Sequence, residues 1–138
     1  MNRRLPMEVG AELTPVTQAV TLEDMILFEP PEEKNIHTDD GVARSAGLPA
    51  AIAAGVQFMA NVFEMLYREF GFESVPGAVL DVRIRAPVFA GDVITARGRV
   101  SAVSRPGGAP RLSLEVWCEN QRGEHVIGGS AECTAPGR

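Results

Sequence analysis

The sequence predicts an α+β domain, a single antiparallel sheet wrapped around one long helix. Apolar residues at 52, 56, 59, 63, 66 and 70 recur at alternating steps of four and three, the spacing of one helical face. After Gly71 the pattern changes to period two in four consecutive segments separated by turn formers. A helix with one apolar stripe needs a sheet face to bury it, and this requirement joins the two halves of the pattern.

Val9 to Val20, rich in β-branched residues, is expected to be the first strand. Thr21-Leu22-Glu23-Asp24 reads as a helix start, with Thr21 as cap and acids in the first turn. Pro30 and Pro31 end that helix, so Glu29 to Asp40 is expected to be a loop. Thr38 can cap a second short helix, Asp39 to Ala46, that stops at Gly47 and Pro49. The long helix is expected over Ala50 to Phe70, its first turns built from Ala50-Ala51-Ile52-Ala53-Ala54-Gly55. Those small residues permit close approach of a backbone or a ligand. Strands are then expected at Ala78 to Val88, Asp92 to Ser104, Arg111 to Asn120 and His125 to Thr134.

Residues 1–138 read as one domain, since no linker, repeat or low-complexity tract divides them. With 45% hydrophobic and 22% charged residues the chain has the composition of a soluble globular protein, and no apolar run approaches the ~20 residues of a membrane helix. Met1-Asn2-Arg3-Arg4 opens like a signal peptide, but Pro6, Glu8 and Glu12 interrupt it, so a cytoplasmic protein is expected. A net charge of −5 without a basic run argues against nucleic acid as a partner. Cys118 and Cys133 lie in separate strand segments and, with His37 and His125, lack the close paired spacing of a metal site; they read as reduced core residues.

The chemistry-bearing stretch is Glu32-Glu33-Lys34-Asn35-Ile36-His37-Thr38-Asp39, a loop between Pro31 and Gly41. A carboxylate and an imidazole so placed need not be committed to a core. With Gly55 at the start of the long helix offering a main-chain amide, they suggest acid–base chemistry. On residues alone the open alternatives are a loop histidine bonded to a carbonyl, a solvated acidic pair and a packing glycine. Asn35 can serve the loop backbone rather than a ligand.

The residues resemble the MaoC-like acyl-CoA dehydratase and (R)-specific enoyl-CoA hydratase family, which has the hotdog fold. The resemblance runs from about Val9 to Pro136. It rests on Glu32 to His37, on the following short-helix segment to Pro49, on Ile52-Ala53-Ala54-Gly55, and on Arg85-Ala86-Pro87-Val88-Phe89-Ala90-Gly91-Asp92-Val93, which looks like the family's Pro-Val-x-x-Gly-Asp hairpin. Glu32 stands where the family has aspartate, Lys34 where it has asparagine and Asn35 where it has proline. A one-residue deletion would instead align Glu33 and Asn35 with the aspartate and asparagine. Ala54 replaces the usual histidine before the helix glycine.

The resemblance implies a hydratase or dehydratase acting on acyl-CoA or acyl-carrier thioesters, with Glu32 and His37 catalytic, Asn35 and Gly55 binding substrate, and no cofactor. It also implies a homodimer paired through the sheets. The substituted motif leaves room for a non-catalytic partner of a second hotdog chain, and the fold for a thioesterase. Arg83 and Arg85 share one face of their strand and could meet coenzyme A phosphates, although solvated charge is the commoner state there.

Overall fold

Five strands form one antiparallel sheet in the computed structural model, which describes residues 8–28, 32–105 and 107–135. The strands are β1 (Val16–Ala19), β2 (Val79–Ile84), β3 (Val93–Ser104), β4 (Arg111–Glu119) and β5 (His125–Thr134), in the order β1-β3-β4-β5-β2. Three helices precede β2: α1 (Leu22–Phe28), α2 (Asp40–Ser45) and α3 (Gly55–Phe70). This is the sheet around a long helix that the periodicities predict. None of the helices is long and apolar enough to cross a membrane.

Alternation along the strands sorts the sheet into two faces. Ile94, Ala96 and Val100 of β3, Leu112, Leu114, Val116 and Cys118 of β4, and Ile127, Ala131 and Cys133 of β5 are all buried on the inner face. Phe58, Val62, Met65, Leu66 and Phe70 of α3 are buried with them. Each large side chain so removed from water contributes about 1.5–3 kcal/mol. Gly98 lets the helix come close: a Cβ there would lie 3.0 Å from Met65 Cε. Both cysteines are free, and burial pushes the Cys118 thiol up to about 12 and the Cys133 thiol up to about 11.

The elements depart from expectation at five places. β2 ends at Ile84 instead of running to Val88, as Arg85 N and Ala86 N both donate to Val126 O and break the ladder. The first strand spans only Val16–Ala19, because Gly10 at φ 89° and Pro15 interrupt the ladder; residues 10–13 still follow β3 through Gly10 N–H to Val100 O and Leu13 N–H to Gly98 O. The short helix begins at Asp40 and is capped by Asp39, whose Oδ1 accepts from Val42 N at 2.9 Å, and Thr38 does not cap it. The long helix begins at Gly55 rather than Ala50. Finally, its buried stripe is not the expected one, since Val56 is 53% exposed and Met59 and Phe63 are only partly buried. Apolar residues occupy both stripes, so period alone does not choose between them; the sheet does.

The Pro87-to-Asp92 turn is held by one carboxylate. Asp92, 7% exposed, accepts from Phe89 N at 2.9 Å through Oδ2 and from Gln121 Nε2 at 2.8 Å through Oδ1. Val20 N–H to Asp92 O and Gly91 N–H to Val20 O tie the same turn to the segment before α1. Burial of a charge is tolerated here because the charge is hydrogen-bonded on both oxygens.

Gly129 is the tightest point of the sheet, since a Cβ there would overlap the Asp81 carbonyl oxygen and lie 2.8 Å from Val82 Cα, both main-chain atoms. Gly129→Ala is expected to part β2 from β5 and cost about 3 kcal/mol or more in urea unfolding. The neighbouring Gly128→Ala meets the flexible Arg85 side chain at 3.3 Å, with Trp117 Cβ and Val116 O at ordinary contact distance, and is expected to cost under about 1 kcal/mol.

Candidate active site

The loop after α1 is ordered by its own side chains. Asn35 N donates to Thr38 Oγ1 at 3.1 Å, and Thr38 N and Asp39 N both donate to Asn35 O. The Asn35 carboxamide is spent on the loop as well: Oδ1 accepts from His37 N at 2.8 Å and Nδ2 donates to Glu33 O at 3.4 Å. Thr38 and Asn35 thus form one compact turn.

That turn sets His37 against the segment leading into α3. His37 Nδ1 lies 2.8 Å from Ile52 O. A carbonyl can only accept, so the neutral imidazole carries its proton on Nδ1 and presents a lone pair at Nε2. His37 is partly buried.

Residues 51–53 stay out of the helix because each amide has a partner elsewhere. Ala51 N donates to Asp40 Oδ1 at 2.8 Å, Ile52 N to Ile36 O at 3.0 Å, and Ala53 N to Val88 O at 2.8 Å. Ile52 also forms a bridge with Phe89 of the hairpin. Three stretches far apart in the chain, the His37 loop, the α3 entrance and the Pro87-to-Asp92 turn, therefore share one short strand. Asp40 reaching Ala51 has no local sequence signal, since the two are eleven residues apart.

The start of α3 adds a donor. Gly55 is its first residue, the N-cap Ala54 has no capping side chain, and no acceptor among the described residues takes the Gly55 amide. An unbonded first-turn N–H at the positive end of the helix dipole suits an oxygen that gains negative charge. Gln57, in the first turn, is 1% exposed and its carboxamide has no partner among the described residues. Sequence reading passed it over, since its polarity is unremarked in a helix of mixed composition.

Glu32 and Glu33 are exposed, and no hydrogen bond or ion pair joins either side chain to His37 or to any other described residue. The structure thus brings His37 to the α3 entrance and commits Asn35 to the loop, while both glutamates project to solvent. Lys34 forms an exposed ion pair with Asp39 at 3.8 Å, which contributes little. Among the described residues no three His, Cys, Asp or Glu side chains converge to hold a metal.

A Cβ on Gly55 would fall 2.6 Å from Ile84 Cδ1, the end of a side chain that is 58% exposed and free to turn. Gly55→Ala is therefore expected to fold with a thermal midpoint within about 5 °C of the wild type, as the helix gains up to ~1 kcal/mol in propensity against that adjustment. A circular-dichroism melt displaced by far more would mean that the helix start is rigidly packed.

The MaoC-like domain family matches residues 8–109. Among solved structures, the chain is similar to the unliganded R-hydratase PhaJ1 from Pseudomonas aeruginosa, at 24% identity and a TM-score of 0.77, covering 95% of this chain and 83% of that one. It is similar at 21% identity and a TM-score of 0.77 to the (R)-hydratase from A. caviae involved in PHA biosynthesis, covering 94% and 97%. The ChsH1–ChsH2 complex from Mycobacterium tuberculosis matches at 18% identity and a TM-score of 0.76, covering 94% and 98%. No curated protein sequence matches the chain. At these identities the solved structures show a shared hotdog fold.

Proposed function

The chain belongs to the MaoC-like domain family, and on that premise we propose that it is a hydratase or dehydratase that interconverts trans-2-enoyl and 3-hydroxyacyl thioesters, with coenzyme A or an acyl carrier as the thiol. The observation that carries the reading is the Nδ1 contact of His37 with Ile52 O, which holds the imidazole against the segment that leads, three residues on, to the unbonded Gly55 amide.

In the hydration direction a water held between His37 Nε2 and a carboxylate loses one proton to the basic group as its oxygen bonds to C3. The C2–C3 π electrons move toward the thioester, and the resulting enolate oxygen accepts from Gly55 N–H. The protonated group then gives that proton to C2, which returns it to its basic form and completes the 3-hydroxyacyl thioester. Dehydration runs through the same transition state in reverse. Glu32 is the proposed carboxylate, on the same loop and five residues ahead of His37 in the sequence; Glu33 is the register alternative. Gly55 is the proposed oxyanion donor, and Asn35 serves substrate indirectly, through the loop it shapes.

The reaction needs neither redox change nor an external electrophile, so no cofactor is invoked. β2 is an edge strand, and pairing of two such edges around a two-fold axis is the proposed homodimer. A second reading comes from the same exposed glutamates: no carboxylate among the described residues is bonded to His37, so a second hotdog chain could supply it, as in a heteromeric hydratase. Thioester hydrolysis by a hotdog thioesterase would instead release free thiol.

Turnover of short trans-2-enoyl-CoA thioesters, followed by loss of the conjugated absorbance, is expected to fall about 10² to 10⁴-fold in both His37→Ala and Glu32→Gln without loss of fold. Loss in His37→Ala alone would move the base to Glu33 or to a partner chain, release of free thiol would favour the thioesterase, and no turnover at any chain length would sink the hydratase reading for the isolated chain.

A further inference from the structure

The outer face of the sheet, opposite α3, carries a groove that the chemistry above does not use. The strand register aligns Arg97, Trp117, Gly128 and Arg83 in one row across β3, β4, β5 and β2. Gly128 contributes no side chain to that row, and the Arg85 side chain lies over it instead, its Nε 3.3 Å from where a Cβ would stand. The result is an open groove of about 390 Å³ lined by Arg85, Glu115, Trp117 and His125 over the Gly128 and Gly129 backbone. This is the size of a small-molecule site.

The groove combines two kinds of recognition. Trp117 and His125 stack with ring centroids 5.8 Å apart and planes inclined by 16°, which makes an aromatic wall. Arg85 also lines the groove and Arg83 stands beside it in the strand register, and neither has an ion pair among the described residues. By contrast, the other sheet arginines each have a carboxylate: Arg97 with Glu119, Arg99 with Glu115 at 3.0 Å, and Arg111 with Glu132 at 3.7 Å. Glu115, the one acid in the lining, is thus already neutralised by Arg99. Arg83 and Arg85 are left with open guanidinium forks, the geometry that grips phosphate oxygens, in a protein whose net charge of −5 otherwise repels anions.

We propose that this groove docks the phosphorylated adenosine end of coenzyme A, with the base against Trp117 and His125 and the phosphates on Arg83 and Arg85. Aromatic rings and arginines side by side are the combination that holds a nucleobase and its phosphates. The inference rests on the thioester reading in one respect, that the acyl end of the same molecule lies at Gly55. Ile84 touches the Gly55 position on the inner face and Arg85 follows it on the outer one, so the end of β2 is the short way round from helix start to groove. Edge pairing of β2 in a dimer leaves this face open, because side chains stand perpendicular to the direction of strand pairing.

Trp117 is the only tryptophan in the chain, so its emission reports on the groove directly. Titration of the intact protein with acyl-free coenzyme A, read by Trp117 emission and by calorimetry, is expected to saturate. Pantetheine without the nucleotide is expected to give no change. Arg85→Gln and Arg83→Gln, both at exposed positions, should each weaken binding about tenfold, and Gly128→Val should abolish it by filling the gap.

In turnover, Arg85→Gln should raise KM for an enoyl-CoA about tenfold and leave kcat, and the KM of the matching enoyl-pantetheine, unchanged. Absence of saturable binding to the wild type, or equal affinity in the Arg85 and Gly128 variants, overturns the docking site even if enoyl thioesters are hydrated. Binding that is lost in those variants while no enoyl thioester is turned over supports the docking site and overturns the hydratase reading instead.

Discussion

The arrangement of this protein hangs on the main chain of Ile52. Its N–H goes to Ile36 O, its carbonyl takes the His37 ring, and it bridges Phe89 across the gap to the hairpin. A residue in a helix would have used the same two groups along the helix axis. The alanine-rich run before Gly55 has good helix propensity, worth a few tenths of a kcal/mol per residue, whereas each tertiary hydrogen bond that captures a buried amide contributes about 1 kcal/mol and avoids a larger penalty for leaving it unpaired. Three successive captured amides decide the contest, and α3 starts where they stop.

That delay has a chemical consequence. Because residues 51–54 stay out of the helix, the first free amide of α3 is Gly55, next to the segment that holds the histidine ring, instead of a turn away at Ala50. A glycine at this point keeps the entrance open, with only the mobile end of Ile84 against it. The tautomer of His37 follows from the carbonyl of the same Ile52 whose amide is bound by Ile36, so the fold and the orientation of the ring share one residue.

The remainder of the molecule supports this entrance. The Asp92 carboxylate shapes the turn that receives Ala53 and Ile52, and the inner face of the sheet fixes the axis of α3 through a continuous apolar layer. The outer face is built on different terms. Most of its charges are paired across strands, and the departure from that pairing at Arg83 and Arg85 coincides with the missing side chain at Gly128.

Periodicity alone determined the α+β class, the number of strands and their places along the chain and the presence of one long helix, because periods of 2 and 3.6 are properties of the local backbone. The candidate loop with Glu32, Asn35 and His37, and Gly55 beyond it, was legible for a similar reason: prolines and turn formers mark a loop, and a histidine without an apolar setting stands out. The start of α3, the choice between its two apolar stripes, the cap at Asp39 in place of Thr38 and the commitment of Asn35 to the loop were decided only by the tertiary structure. Each depends on a partner distant in sequence or on a competition between two nearby groups for one amide, and neither leaves a local pattern. Ile52 is the plainest case, since what it contributes is main chain, which every residue has and no sequence distinguishes.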